Sequence, residues 1–325
     1  IIASKIFIKF CLECLEKSRL SCHDPKELLM CKCRVCSSRE SKIMYSSPIR
    51  IGGGAERIHD YSILRCENCS FVYLSPVPEQ LDDFYESHEY RKQWDHEFTP
   101  ESIHAKYDHE QNERISRIGI ENIRGKSILD LGASAGVFLD AISSSASRTI
   151  AIEPARMYKE YLQSQGHIYY SYPEDAVAEN EKVDIVTSFD VIEHVQKPKE
   201  FLGYAYELLK PGGKLVLSMP NLNDVIKKVE QDKFEQFFYQ TAHLNYFSKE
   251  VIPKLFEDLG FVNIKIDFLH KYGIENMIRW AKYGSVGQVK EVDGLFDRFF
   301  DNHYKSEIER LGISSHLFIT AEKLL

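Results

Sequence analysis

Beyond Cys69 the chain has no cysteine, and all eight that it contains lie at or before that position. Disulfide-stapled secreted folds spread their cysteines through their loops, so this segregation excludes that class and implies one local site. Long apolar runs are missing as well. Nothing approaches the roughly 20 residues of a membrane span, and the IIASKIFIKF opening is broken by Lys5 and Lys9. An excess of positive charge is also absent: 41 Lys and Arg face 49 Asp and Glu, for a net charge of -8. A broad nucleic-acid footprint needs clustered cations to neutralise phosphates, so neither a nucleic-acid nor a membrane partner is expected. A cytoplasmic globular protein remains, and 43% hydrophobic content over 325 residues suffices for one large or two modest domains.

What is there begins with cysteine pairs. Cys33-x-x-Cys36 and Cys66-x-x-Cys69, separated by residues 37–65, supply four thiolates for a tetrahedral Zn2+ site. Four sulfurs leave no open position for catalysis, so the metal is expected to be structural, and residues 30–75 to form a zinc-binding module. Cys31 is a spare thiol beside it. Residues 1–29, ahead of the first methionine, Met30, read as an extension, either a short amphipathic helix or a tail. Its Cys11, Cys14 and Cys22 lack a second pair to complete a metal site. Residues 76–123 read as a helical connector, punctuated by Pro76 and Pro78, with Ile103, Tyr107, Ile115 and Ile118 on one side. Tyr85 and Tyr90, with His88 between them, are candidate substrate contacts or packing between module and main domain.

The main domain, residues 124–325, is organised around SILDLGASAGVFL, residues 127–139. Ile128 and Leu129 are strand residues, Asp130 closes the strand, and Gly132 and Gly136 let the backbone approach a ligand before an apolar helix face begins. A dinucleotide fingerprint needs two more glycines where Ser134 and Val137 stand, so NAD loses ground. Downstream, RTIAIEP places Glu153 at the end of a second strand, where ribose hydroxyls are bound in doubly wound sheets; the same carboxylate suits a helix cap. PED carries Glu174 and Asp175, and VDIVTSFDVIEHV ends a fourth strand on a loop bearing Asp190, Glu193 and His194. KPKEFLGYAYELLKPGG reads as a helix stopped by Pro211 and two glycines, and KLVLSMPN as the fifth strand. Two further strands follow, with a helical insertion between them at about 268–313 that places Leu295, Phe299, His303 and Leu311 on an apolar face. A lid and a homodimer surface are its two readings.

DLGASAG, AIEP, FDVIEHV and LKPGGKLVLSMPN, in this order, resemble the core of class I S-adenosylmethionine-dependent methyltransferases, as in the ubiquinone-type O-methyltransferases. The four-cysteine segment resembles the zinc-binding domain of bacterial sugar methyltransferases, and the likeness covers residues 33–325. It implies an α/β fold, a Rossmann-like seven-stranded methyltransferase sheet, and S-adenosyl-L-methionine as cofactor. The resemblance puts Asp130, Gly132, Ala133 and Gly136 along the methionine and ribose, Glu153 on the ribose diol, Asp175 near adenine, and Phe189 and Asp190 beside the adenosyl group. His194 would lie close to the reacting centre. The sugar C-methyltransferases carry Tyr-x-Glu-His where this chain has Gln240, Thr241, Ala242 and His243, with the tyrosine displaced to Tyr239. Without that glutamate, carbanion chemistry is put in doubt.

The expected activity is therefore methyl transfer to a small-molecule hydroxyl, of a sugar or nucleotide sugar in glycan or secondary-metabolite biosynthesis. His243 is the first candidate base, His194 the second, and Tyr239 a candidate substrate contact. The alternatives are a sugar C-methyltransferase, an RNA-modifying methyltransferase or nucleic-acid-binding module, and a non-catalytic scaffold.

Overall fold

The computed structural model describes residues 32–52, 56–78, 98–284 and 293–325. Tyr85, His88, Tyr90, Cys31 and the 1–29 extension lie outside these described residues. The cysteine segment contributes β1 (Ser41–Tyr45), a two-stranded ribbon of β2 (Ile49–Arg50) and β3 (Arg57–Ile58), then β4 (Ser62–Cys66) and β5 (Val72–Ser75). Strands β4 and β5 are almost wholly buried, which Ile63, Leu64, Val72 and Leu74 on alternating faces make favourable.

The main sheet starts with β6 (Ser127–Leu131), β7 (Arg148–Ile152), β8 (Ile168–Tyr170), β9 (Val183–Phe189) and β10 (Leu209–Pro220), all parallel. A short strand, β11 (Asn245–Tyr246), leaves this domain to pair with β5, so the small sheet runs β1-β4-β5-β11. Strands β12 (Phe261–Leu269) and β13 (His316–Lys323) complete the large sheet in the order β12-β13-β10-β9-β6-β7-β8, with β13 antiparallel to both neighbours. This is the seven-stranded architecture that the motif order implies. Every side chain of β6 is buried because helices cover both faces of the sheet, the usual condition of parallel strands.

One face is covered by the Pro100–Ile118 helix and the Val137–Ile142 helix, which bury Ile103, Ile118, Phe138, Leu139 and Ile142. The other is covered by the Pro198–Leu208 and Ile252–Glu257 helices through Leu202, Leu208, Leu255 and Phe256. Each such side chain contributes about 1.5–3 kcal/mol by leaving water. The Pro100–Ile118 helix is fixed at its ends: the Thr99 hydroxyl accepts from Ser102 N at 3.3 Å, and Gly119 stops it at φ 87°. Pro211 to Gly213 form a break in register inside β10, between the Leu209–Val183 and Lys214–Ile185 pairs.

The insertion between β12 and β13 contains the helices Ile274–Tyr283 and Arg298–Arg310. Its packed face differs from the expected one. Tyr304 and Ile308, one turn apart, are buried, whereas Leu295, Phe299 and Leu311 are 60%, 83% and 55% exposed and His303 also faces water. Several sparse apolar residues fit a helical period, and contact with the core selects Tyr304 and Ile308.

Candidate active site

The carboxyl ends of β6, β7, β9 and β10 open onto one cavity of about 810 Å³, a volume suited to a nucleoside-sized cofactor with an acceptor beside it. Gly132 stands at φ 81°, and a Cβ there would meet Val191 Cγ2 at 2.5 Å. Only glycine fits that turn. Gly136, also left-handed at φ 80°, does not line the cavity; a Cβ there would strike Leu162 Cδ2 at 2.6 Å, so its role is helix packing. Ala133 and Ser134 line the turn. Glu153 Oε2 accepts from Ser134 N at 2.7 Å and Oε1 from Ala155 N at 2.9 Å. The carboxylate is thus locked by both flanking turns while still facing the cavity, and each oxygen keeps a lone pair for a diol. Asp130, buried beneath the turn, accepts from Thr187 Oγ1 at 2.6 Å; burial pushes its carboxyl up to about 6. Together, the cradle at Gly132 and the doubly anchored Glu153 fit an adenosyl ligand.

Phe189 and Asp190 follow at the end of β9. Phe189 meets Phe138 edge-on at 5.0 Å and lies under the Arg114 guanidinium at 4.5 Å, giving a flat wall to the cavity. Asp190 adopts φ 58°, which aspartate tolerates better than most residues. Lys271 Nζ lies 2.6 Å from its Oδ2, Arg114 3.8 Å from the same atom, and Ser218 Oγ donates to Oδ1 at 3.0 Å. Burial opposes its ionisation, yet Lys271, His316 and Arg114 hold Asp190 well below the usual carboxylate range.

The next turn brings His194 to His243, with ring centroids 4.8 Å apart and edge to face. His194 Nδ1 donates to Ala242 O at 2.7 Å, so the neutral ring keeps its lone pair on Nε2. The Gln240 amide nitrogen lies 3.1 Å from His243 Nε2 and 3.2 Å from Nδ1. Burial, reinforced by His194, pushes His243 well below the ordinary imidazole value, so it is neutral at pH 7. Glu193 sits beside them, with Oε1 3.8 Å from His194 Nε2 and Oε2 buried without a hydrogen-bond partner among the described residues. Burial, then Asp190, raises its carboxyl well above the usual range. One ligand atom each from Glu193, His194 and His243 fall within 4.8 Å of one another, a set able to hold a divalent cation.

The far end of the cavity is aromatic. Phe234, Phe237, Phe238, Trp280 and Tyr272 line it, with Trp280 5.7 Å from Phe234 and 5.4 Å from Phe237. Arg50 packs over Phe237 at 4.1 Å and donates through Nε to its carbonyl at 2.6 Å. Asp224 lines the same cavity, next to Val225 and Ile226, which pack with Phe234 and Trp280.

Away from the cavity, Cys33 Sγ lies 3.5 Å from Cys69 Sγ, and Cys36 Sγ 3.5 Å from Cys66 Sγ, with all four sulfurs within 4.8 Å. A tetrahedral zinc–thiolate site with bonds of about 2.3 Å has S···S edges of about 3.8 Å. Backbone N–H groups of Val35 and Cys36 point at Cys33, and those of Asn68 and Cys69 at Cys66. The Cys69 thiol pulls Cys33 down to about 5 and is itself pushed up by the same bond. These residues fit a Zn2+ ion.

Of the expected site residues, Asp130, Gly132, Ala133, Glu153, Phe189, Asp190, His194 and His243 line one cavity. Two do not. Asp175 is exposed and accepts from Tyr172 N at 3.2 Å, capping the Pro173–Ala178 helix; Tyr172 reaches the cavity instead. Tyr239 is fully buried between Tyr45, at 4.9 Å, and Tyr246, at 5.0 Å, because its neighbour Gln240 takes the cavity-facing position. Sequence reasoning missed Arg114, Lys271, Arg50, Asp224 and the aromatic wall. No local motif marks them, since they come from helices and loops far apart in the chain.

The family model for methyltransferase domains matches residues 103–266, half of the chain. The ubiquinone biosynthesis O-methyltransferase of Bradyrhizobium sp. (strain ORS 278) is 30% identical over 111 residues, 31% of this chain and 42% of that protein. The mitochondrial ubiquinone biosynthesis O-methyltransferase of Dictyostelium discoideum is 26% identical over 134 residues, 34% of this chain and 40% of that protein. The matched segments thus span less than half the length of these two relatives. A solved S-adenosylmethionine-dependent methyltransferase from Archaeoglobus fulgidus aligns with a TM-score of 0.46 and 18% identity, over 69% of this chain and 95% of that one. With half of its length matched and its sheet order and glycine turn in place, the chain belongs to the methyltransferase-domain family.

Proposed function

We propose that this chain is a class I S-adenosylmethionine-dependent methyltransferase that transfers the methyl group to a hydroxyl of a small-molecule acceptor, a sugar or nucleotide sugar, with His243 taking the hydroxyl proton. The observation that carries this is the His194–His243 pair, which lies on the same cavity as the glycine turn and the aromatic wall. The bound sulfonium supplies an electrophilic methyl group. What remains for the protein is alignment of the acceptor and removal of its proton, which an uncharged imidazole can do. The aromatic wall of Phe234, Phe237 and Trp280 suits the apolar face of a ring. Hydroxyl chemistry is supported by the two curated relatives, both named as O-methyltransferases. A structural Zn2+ on Cys33, Cys36, Cys66 and Cys69 belongs to the same proposal.

His243→Ala is expected to keep cofactor affinity and to lose about 10²–10⁴ in turnover, measured with labelled cofactor on a panel of sugars and nucleotide sugars. Normal turnover in that variant would move the base elsewhere, and a new carbon–carbon bond in the product would replace hydroxyl methylation. The Glu193, His194 and His243 cluster favours a second reading, in which a divalent cation held there binds the hydroxyl oxygen and lowers its pKa. Turnover that survives chelation, with metal content assayed alongside, would leave the imidazole alone in that role.

A further inference from the structure

Asp224 is a buried carboxylate without a counter-ion among the described residues. It is 5% exposed, lines the aromatic end of the cavity, and makes no ion pair with any described residue. Among the described residues its side chain accepts one hydrogen bond, from Ile226 N to Oδ1 at 2.8 Å. That contact is a local turn onto the first residue of the four-residue helix Ile226–Val229, which a neutral Asn or Ser would make as well. The turn therefore leaves the charge unexplained. Burial pushes the carboxyl up to about 6, which still leaves it ionised above neutral pH.

The cations that line the same cavity are committed to other groups. Lys271 lies 2.6 Å from Asp190 and 3.5 Å from Glu110, and Arg114 lies 2.8 Å from Glu110. Arg50 stacks on Phe237 and donates to its carbonyl. The cavity that Asp224 lines also takes Ile226, Phe234, Phe237, Tyr272 and Trp280; Ile226, Phe234 and Trp280 pack in one cluster with Val225, the neighbour of Asp224, and the Asp224 charge acts on Tyr272. An ionised carboxylate in such surroundings is costly unless a cation completes it, and aromatic faces attract that cation too.

We infer that the acceptor carries a protonated amine, which enters the aromatic end of the cavity and pairs with Asp224. This rests on the cavity being the acceptor site, and it narrows the acceptor to a hydroxyl compound that also bears an ammonium group, such as an amino sugar. Asp224 is then a specificity-determining residue, distant in role from the proton acceptor. It selects the substrate by charge.

The test uses two isosteric probes, benzylamine and benzyl alcohol, titrated calorimetrically at pH 7.5 into the full chain saturated with S-adenosylhomocysteine. Benzylamine should bind about tenfold or more tightly than the alcohol, the usual worth of a charged hydrogen bond. Asp224→Asn keeps an acceptor for Ile226 N and should abolish that preference while cofactor affinity stays unchanged. Equal binding of the two probes, no binding of either, or a preference that survives in Asp224→Asn would overturn the inference. Should the variant fail to fold, the comparison on the unaltered chain decides alone. Methylation of neutral hydroxyl compounds with no preference for amines would sink this inference and leave hydroxyl transfer standing. Loss of hydroxyl transfer would leave the calorimetric preference readable.

Discussion

Glu153 shows what a single position can and cannot disclose. At the end of an apolar strand, its carboxylate suits a ribose diol and a helix cap equally well, and the structure assigns it contacts of the second kind without closing the first. Ser134 N and Ala155 N both donate to it, while the side chain still lines the cavity. Glu153→Ala should therefore weaken cofactor binding by about tenfold to a hundredfold, the loss of a charged contact worth roughly 1.5–3 kcal/mol. It should also lower stability, because two buried donors lose their acceptor. Calorimetry and thermal unfolding on one preparation separate the two effects, and unchanged affinity with lowered stability would make Glu153 a cap alone. Asp130 and Gly132 were legible because a strand-to-helix turn constrains them locally. Asp175 misled because an acidic residue in a Pro-Glu-Asp turn is also what a helix start requires, and its bond from Tyr172 N is that local role. Lys271 and Arg114 were not legible at all, since only the folded chain brings them to Asp190.

At the scale of elements, the informative strand is the shortest. Asn245 and Tyr246 pair with Tyr73 and Val72, so a piece of the catalytic domain completes the sheet of the cysteine segment. Arg34, next to Cys33, reinforces this junction by donating to Leu244 O at 2.6 Å and Leu74 O at 2.7 Å. Two residues cannot display an alternating pattern, so this strand was invisible in sequence, and the boundary at residue 75 was drawn across a continuous sheet. The junction lies immediately after His243. Cys66→Ser should thus do more than release about one equivalent of zinc, since Cys66 ends β4, which pairs with β5. Slackening β5 should loosen β11 and the loop that holds His243, so turnover should fall much more than cofactor affinity. Elemental analysis, cofactor calorimetry and rate on the same variant check this, and full activity in the zinc-free variant would remove the proposed structural role.

For the whole molecule, the buried titratable groups set a stability profile against pH that its net charge alone would not give. His270 and His316 are buried and held down to about 4 and about 3, with burial the main cause in both. Their unfolded value is about 6.5, so from there downward the unfolded chain binds more protons and stability falls, by about 1.4 kcal/mol per pH unit for each group. Asp130 and Asp224 oppose this. Burial raises both to about 6, against roughly 3.9 in the unfolded chain, so between those values the folded state binds more protons and stability rises as pH falls. Glu193, raised, and His243, lowered, act with opposite signs. With the four cysteines held as thiolates by the proposed Zn2+, two groups against two leave a nearly flat stretch between about pH 6 and 4. Below that the balance ends. Asp184, held down to about 2 against the effect of burial by its hydrogen bonds from Ser127 and by Lys210, and Asp190, held lower still by Lys271, both keep their charge while the unfolded carboxylates protonate. Their contribution, present above the unfolded value of about 3.9, is lost as pH falls toward their folded values, and His316 still acts in the same direction. Urea unfolding at successive pH values should show a small loss from pH 7 to 6, a plateau, and a steep decline below about pH 4. Asp224→Asn removes one of the two opposing carboxylates, so its plateau should tilt into a decline of about 1.4 kcal/mol per pH unit. A plateau unchanged in that variant would mean that Asp224 is not raised by burial, and would remove the physical basis for treating it as a buried charge in want of a cation.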